Sequence, residues 1–267
     1  MRQNMKKIKL LLVVALVCAL VSTFVGCGIL DGGPSSDAEF VNNVCLNAMS
    51  ANFTVYATNS NFSGYTKSVG SSVAFFFDAA EGEYYLLTNN HVVAVKDGFD
   101  SIDLVVNDYK GNEYDVEEVV AQDPEFDLAI IKFSVSSDDP TYATLKVAAA
   151  NPTKNSKVAA IGQPHGQLNA LTLGKVLGYS ATQLDGISQK LSNVTFPGLC
   201  HSAPINTGSS GGAVLNAELK IVGINYATAF DEDKDSADSN GKFKYGAAIP
   251  AEKIREFIAK YKLDGLL

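Results

Sequence analysis

Apolar residues along most of this 267-residue chain come in short runs with polar turn residues between them. Runs rich in Val, Ile, Phe and Tyr that are bounded by Gly, Asn and Asp are typical of β-strands joined by turns. Short strands at this spacing favour an all-β fold built as a barrel. The strand candidates are residues 54–57, 69–77, 83–88, 102–106 and 129–133 in the first half, and 157–161, 171–177, 213–215, 221–226 and 245–249 in the second.

Two other segments have helical periodicity. Residues 37–51 repeat their apolar side chains at roughly helical spacing, which predicts a short N-terminal helix packed on the barrel. This helix is also a candidate element for self-association. Residues 251–261 place Ile254, Phe257 and Ile258 on one face, which predicts a closing C-terminal helix.

The first 26 residues have a third pattern, in which basic residues precede a continuous apolar run at residues 10–25. This pattern is typical of a secretory signal peptide. The small residues before Cys27 resemble the bacterial lipobox, which implies cleavage before Cys27 and lipid attachment to its sulfur. Phe24 stands where leucine is usual, so an uncleaved signal anchor and a non-lipidated signal stay open as alternatives. The composition of residues 27–36 favours a flexible tether. We expect the chain to be a membrane-anchored lipoprotein of the bacterial cell envelope.

The net charge of the mature chain narrows the choice of partners. The full chain carries −8, and the loss of four cations with residues 1–26 leaves 17 basic against 29 acidic residues, or about −12. An acidic body disfavours nucleic acid and anionic membrane surfaces as partners, so membrane attachment would depend on the lipid. No phosphate loop or dinucleotide fingerprint is visible, and the three histidines lack metal-ligand spacing, so neither a cofactor nor a metal is predicted.

A glycine- and serine-rich stretch at residues 206–214 is the central candidate for chemistry. A nucleophilic serine needs an exposed hydroxyl on a tight turn, beside backbone N–H groups that stabilise an oxyanion, and glycine permits such a turn. We therefore predict Ser210 as the nucleophile and the N–H groups of Gly208 and Ser210 as the oxyanion hole. Taken alone, the stretch also fits a loop without chemistry.

Two upstream residues favour the catalytic interpretation. His91 follows one apolar strand candidate, and Asp127 leads directly into another. A carboxylate at the start of an apolar strand is costly unless it is paired, and an imidazole N–H from His91 would pair it. The order His91, Asp127, Ser210 along the chain is that of the chymotrypsin-like triad and differs from the subtilisin and α/β-hydrolase orders.

The segments around these three residues resemble those of trypsin-like serine proteases of the HtrA (Deg) group. The likeness covers roughly residues 50–250 and is carried by residues 88–93, 127–132, 160–166, 203–212, 222–225 and 246–250. It implies two six-stranded antiparallel β-barrels, about residues 50–135 and 155–250, with the active site in the cleft between them. Residues 37–267 would then be one protease domain. Because only about six residues follow Tyr261, we expect no PDZ domain, which many HtrA relatives carry.

The resemblance also suggests where a substrate would bind. In the trypsin-like arrangement, the residue six positions before the nucleophile lies at the base of the S1 pocket, and that residue is Pro204 here. Neither Pro204 nor the following Ile205 and Asn206 is an acid that would pair with Arg or Lys, so a small or medium apolar P1 residue is expected. The strand that pairs with an extended substrate would consist of Ile224, Asn225 and Tyr226.

By the same resemblance, the chain would hydrolyse peptide bonds through an acyl-enzyme, in polypeptide substrates such as unfolded or damaged envelope proteins. A homo-oligomer, such as a trimer, is a further expectation. Two alternatives stay open: a catalytically weak peptide-binding or chaperone-like module on the same fold, and an esterase with the same triad. His165 is expected in a surface loop and His201 in a structural role or at the pocket rim. Cys45 and Cys200 could form a disulfide outside the cytoplasm.

Overall fold

The computed structural model describes residues 34–182, 187–231 and 242–267. The predicted signal peptide at residues 1–26, Cys27 and most of the predicted tether lie outside the described residues. In the part of the chain that the structure describes, no helix has the length and hydrophobicity that a membrane span requires.

The described chain begins with helix α1 (Pro34–Asn47), which is followed by a short 3-10 turn at Met49–Ala51. The sequence had predicted one helix over residues 37–51. Helix α1 and the residue after it bury three side chains that are four residues apart, because side chains at this spacing lie on one helical face. They are Phe40, Val44 and Ala48.

The first half of the described chain forms one antiparallel sheet of seven strands, which curls into a half-barrel. The strands are β1 (Asn52–Asn61), β2 (Gly64–Asp78), β3 (Glu83–Thr88), β4 (Ser101–Asn107), β5 (Glu113–Asp115), β6 (Glu118–Asp123) and β7 (Leu128–Ser134). Their order across the sheet is β5-β4-β1-β2-β3-β7-β6. Between β5 and β6 the chain passes from one edge of the sheet to the other. The N–H of Val116 still donates to Leu104 in β4, whereas that of Glu117 donates to Lys132 in β7.

The second half, within the described residues, forms a closed barrel of six strands. The strands are β8 (Lys157–Gly162), β9 (Ala170–Ser180), β10 (Gly198–His201), β11 (Ala213–Leu215), β12 (Ile221–Asp231) and β13 (Lys242–Pro250). Their order around the barrel is β10-β13-β12-β11-β8-β9. Strand β12 lies between β11, which follows Ser210 along the chain, and the last strand, β13.

The predicted all-β fold with short terminal helices is confirmed, but the first half differs in detail from the expected six-stranded barrel. The described residues form seven strands there, and the hydrogen-bonded order does not close. The strand at one edge, β5, has only three residues, and its Glu113 and Asp115 are exposed. The two edge strands, β5 and β6, are separated only by Val116 and Glu117, so the edges lie close together although no ladder joins them.

Helix α3 (Ala251–Lys260) closes the fold as predicted and buries Ile254, Phe257 and Ile258. Its end returns to the first half of the molecule. Lys260 Nζ lies 2.7 Å from Asp123 Oδ2 at the end of β6, and the hydroxyl of Tyr261 donates to the carbonyl of Gln122 at 2.9 Å. No disulfide joins Cys45 to Cys200.

Candidate active site

His91 and Asp127 form a hydrogen-bonded pair in the structure. His91 lies on a single helical turn, α2 (Asn90–Val93), directly after β3, whereas the sequence had suggested only the end of a strand. Asp127 occupies the tight turn before β7, with a φ of 49°. The side chain of Asn89 connects these two segments, because its Nδ2 donates to the Asp127 carbonyl at 2.8 Å.

Four contacts satisfy the Asp127 carboxylate, which is fully buried. Oδ1 accepts from the backbone N–H of His91 at 3.0 Å and lies 3.0 Å from His91 Nδ1. Oδ2 lies 2.8 Å from Nδ1 and accepts from the hydroxyl of Ser192 at 3.0 Å. A buried carboxylate needs such partners. Sequence reasoning missed Ser192, because nothing in the polar loop around it marks one serine over another.

In the loop that carries Ser210, every backbone carbonyl of residues 206–210 accepts a hydrogen bond. The donors are Ser209 N–H to Asn206 (2.9 Å), His165 N–H to Thr207 (2.7 Å), the Ser71 hydroxyl to Gly208 (2.7 Å), Gly212 N–H to Ser209 (3.0 Å) and Ser71 N–H to Ser210 (2.7 Å). These bonds fix the orientation of consecutive peptide planes, which determines where the N–H groups of the same planes point.

Two N–H groups of this loop stay available for a ligand. Within the described part of the chain, the backbone N–H groups of Gly208 and Ser210 donate to no acceptor, whereas those of Ser209, Gly211 and Gly212 do. Gly208 adopts a φ of 95°, which favours glycine. An oxyanion hole requires unbonded N–H donors beside the nucleophile, and these two residues supply such donors.

A family of known proteins covers this part of the chain. The trypsin-like peptidase domain family matches residues 72–224, which is more than half of the chain and includes His91, Asp127 and Ser210. The chain belongs to the trypsin-like peptidase family.

Individual relatives point to one branch of the trypsin-like peptidases. The serine protease Do-like HtrA of Bacillus subtilis (strain 168) is 30% identical over 80% of this chain and 45% of its own length. The probable periplasmic serine endoprotease DegP-like of Marinomonas sp. (strain MWYL1) is 33% identical over 76% of this chain and 37% of its own length. Among solved structures, the HtrA-type protease AlgW with tripeptide has a TM-score of 0.60 and 28% identity, and the match covers 85% of this chain and 64% of that one. The resemblance to the HtrA group is confirmed, and the chain spans less than half the length of these two curated relatives.

The cleft of this trypsin-like peptidase has a volume of about 700 Å³ and is lined by both halves of the molecule. His91 and Ser210 both line it. Among the described residues, the imidazole of His91 makes hydrogen bonds to Asp127 and none to the Ser210 hydroxyl. Hydrogen bonds between catalytic groups are often long in unliganded enzymes and tighten when substrate binds.

Four of the six predicted substrate-binding residues line the cleft: Ile205, Asn206, Asn225 and Tyr226. Pro204 does not line it, because its side chain is exposed elsewhere and its carbonyl accepts from the Thr172 hydroxyl at 2.8 Å. Ile224 does not line it either, because it is fully buried in the barrel core. Counting positions from the nucleophile gives the place along the chain but not the direction of a side chain, and adjacent strand residues point to opposite faces.

His201 lies in the core of the trypsin-like peptidase and not at the rim of its cleft. It is fully buried on β10, and its Nε2 lies 2.8 Å from Oδ1 of Asn225. Burial lowers the pKa of His201 to about 4, although the hydrogen bond with Asn225 acts in the opposite direction. The neutral imidazole thus supports the amide of Asn225, which lines the cleft.

Proposed function

We propose that this chain is a serine endopeptidase in which Ser210 is the nucleophile, His91 the general base and Asp127 the residue that orients the imidazole. The observation that carries the proposal is the 2.8 Å contact between His91 Nδ1 and Asp127 Oδ2, at a cleft that also contains Ser210 and the two unbonded N–H groups. A carboxylate on Nδ1 holds the proton on that nitrogen, so Nε2 is left to accept the proton of the serine.

In the proposed reaction, His91 Nε2 takes the proton of the Ser210 hydroxyl as Oγ attacks the substrate carbonyl. The N–H groups of Gly208 and Ser210 stabilise the oxyanion, and such a donor contributes about 3–4 kcal/mol to the transition state. His91 then protonates the leaving amine, and water hydrolyses the acyl-enzyme with His91 again as the base. Substrate binding would bring Ser210 and His91 into hydrogen-bond contact, which the resting structure lacks.

Extended polypeptides, cleaved after small or medium apolar residues, are the proposed substrates. Ile205 and Ala227 line the cleft, and the one acid that lines it among the described residues, Asp97, lies 3.6 Å from Lys190 Nζ and so already has a basic partner. The backbone of β12 would pair with the extended substrate. Unfolded or damaged envelope proteins are the proposed targets, in keeping with relatives that are named periplasmic endoproteases.

The proposed organisation adds a membrane anchor to this enzyme. Residues 1–26 would be the lipoprotein signal peptide, Cys27 the lipidated residue, residues 27–36 the tether and residues 37–267 the protease domain. A lipid of several acyl chains would hold the acidic body at a membrane outside the cytoplasm, since one chain alone binds only marginally. Association into a homo-oligomer, such as a trimer, is part of the same proposal.

Labelling with a fluorophosphonate probe tests the proposal, because the probe reacts only with a serine that a base and an oxyanion hole activate. We expect stoichiometric label on Ser210, located by peptide mass, and hydrolysis of an unfolded polypeptide by the same preparation. Ser210→Ala is expected to lose both. Ser209→Ala is the matched control, since it removes the neighbouring hydroxyl and is expected to keep the label.

An unlabelled but folded wild-type protein would contradict the endopeptidase proposal. If that protein still bound extended peptides, we would conclude that the chain is a catalytically weak peptide-binding module. Hydrolysis of small esters without cleavage of polypeptides would instead favour an esterase.

A further inference from the structure

One residue of the first half contacts the Ser210 loop twice. Ser71 lies in the middle of β2 and is fully buried. Its N–H donates to the carbonyl of Ser210 at 2.7 Å, and its hydroxyl donates to the carbonyl of Gly208 at 2.7 Å. Gly208 and Ser210 are also the residues of this loop whose N–H groups donate to no acceptor in the described part of the chain. We propose that Ser71 is a positioning residue that holds the oxyanion hole open, an inference that rests on the proposed endopeptidase function.

The direction of the Ser71 hydroxyl is determined by a second contact. The N–H of Gln163 donates to Ser71 Oγ at 2.8 Å, and a backbone N–H can only donate. The hydroxyl hydrogen is therefore left for the carbonyl of Gly208. A serine side chain that both accepts and donates in this way has one orientation, and it connects β2 to two segments of the barrel at once.

The Gly208 carbonyl needs this restraint because glycine is the least restricted residue of the loop. The carbonyl before Gly208 is held by the N–H of His165 and the carbonyl of Gly208 itself by Ser71. With both neighbouring peptide planes held, the N–H of Gly208 keeps one direction. Loss of the Ser71 hydroxyl would leave the plane of the Gly208 carbonyl held at one end only, by the Ser209 N–H that donates to Asn206. Rotation about Gly208 would then be less restricted, and the oxyanion donors would be less well preorganised.

A further hydrogen bond and a close backbone contact restrain Ser71 itself. The hydroxyl of Thr88 donates to the Ser71 carbonyl at 2.7 Å. A β-carbon on Gly211 would overlap that same carbonyl oxygen, which shows how closely β2 approaches the loop. The restraint on the oxyanion hole thus extends from β3, which carries Thr88, through β2 to the Ser210 loop.

The neighbouring Ser72 offers a matched control. It is also fully buried on β2, but adjacent strand residues point to opposite faces, and its Oγ has no hydrogen-bond partner among the described residues. Ser71→Ala and Ser72→Ala therefore remove the same atom from adjacent buried positions, and only the first removes a contact with the loop.

The experiment measures kcat, KM and deuterium exchange over residues 206–214 for both variants of the full chain, at a temperature where circular dichroism shows both folded. For Ser71→Ala we expect kcat to fall about 10- to 100-fold with KM within about twofold, since only the transition state carries the oxyanion. We also expect exchange over residues 206–214 to be about fivefold faster. Ser72→Ala is expected to match the wild type in both measurements.

Equal kcat values for the two variants, or unchanged exchange in Ser71→Ala, would overturn the positioning role. If the wild type neither hydrolyses peptides nor reacts with a fluorophosphonate, the proposed function fails, and the exchange comparison still decides whether Ser71 holds the loop. Should Ser71→Ala not fold, Thr88→Val takes its place, because it releases the Ser71 carbonyl. We then expect kcat to fall about threefold with faster exchange, and wild-type values of both would overturn the inference.

Discussion

Mild acid is expected to destabilise this protein through one buried imidazole, that of His201. Burial lowers its pKa to about 4 in the folded state, whereas a histidine in an unfolded chain has a pKa of about 6.5. Between these values the unfolded chain binds a proton that the folded protein does not. The free energy of unfolding contributed by the neutral imidazole is therefore fully present above about pH 6.5 and is lost as the pH falls towards 4.

The size of this effect follows from the two pKa values. Their difference of about 2.5 corresponds to a loss of about 3 kcal/mol of unfolding free energy at and below pH 4. Typical domains have only about 5–15 kcal/mol in total. The contribution of His201 to the unfolding free energy is thus large enough to be distinguished from that of the other titrating groups.

The assay is urea unfolding at pH 7 and pH 4.5 for the wild type and for His201→Gln. Glutamine can donate to the Asn225 amide oxygen but does not titrate, and the other ionisable groups are shared by both proteins. We expect the wild type to lose about 2–3 kcal/mol more than the variant between the two pH values. Equal losses in the two proteins, or an NMR titration midpoint of His201 near 6.5, would refute the reasoning.

Three further substitutions are expected to have distinct effects. Ser192→Ala removes a donor to the Asp127 carboxylate and should lower kcat/KM of peptide hydrolysis about 3- to 10-fold. Ser188→Ala should not, because the Ser188 hydroxyl has no hydrogen-bond partner among the described residues. Gly211→Ala forces a β-carbon against the Ser71 carbonyl at a φ of 88° and should destabilise the fold by about 4 kcal/mol in urea unfolding; Gly265→Ala, where the site is open, should be near neutral. Phe257→Ala empties a fully buried position of α3 and should cost about 3–5 kcal/mol, whereas a loss below 1 kcal/mol would show that the helix does not pack as described.

The strands that could be predicted from sequence are those that carry apolar runs, whether they are buried like β7 or partly exposed like β4. Strands β7 and β8 are short apolar runs, and the structure extends each prediction by only one or two residues. Strands β5 and β6 were missed, because they carry acidic residues and are held by backbone pairing to β4 and β7. Hydrophobic periodicity reports burial, and a polar edge strand has little of it.

The residues of the candidate site also divide into those that the sequence reveals and those that it does not. The segments of His91, Asp127 and Ser210 could be found from local motifs, and the structure brings all three to one region. Ser71 and Ser192 could not be found, because their importance arises from contacts over long sequence separations that no local pattern encodes. Pro204 and Ile224 were assigned to substrate binding by their position along the chain, and neither lines the cleft, because Pro204 is exposed and Ile224 is buried in the barrel.

The contacts at the end of α3 have a consequence for the order in which the molecule is completed. Asp123 begins the turn that presents Asp127, and its Oδ1 accepts from the N–H of Glu125 at 2.9 Å. Its other oxygen is held by Lys260, which is synthesised after every strand of both halves. While the ribosome is still making the chain, the turn before β7 therefore lacks its last partner. The turn that presents Asp127 acquires the Asp123–Lys260 ion pair only after Lys260 has left the ribosome.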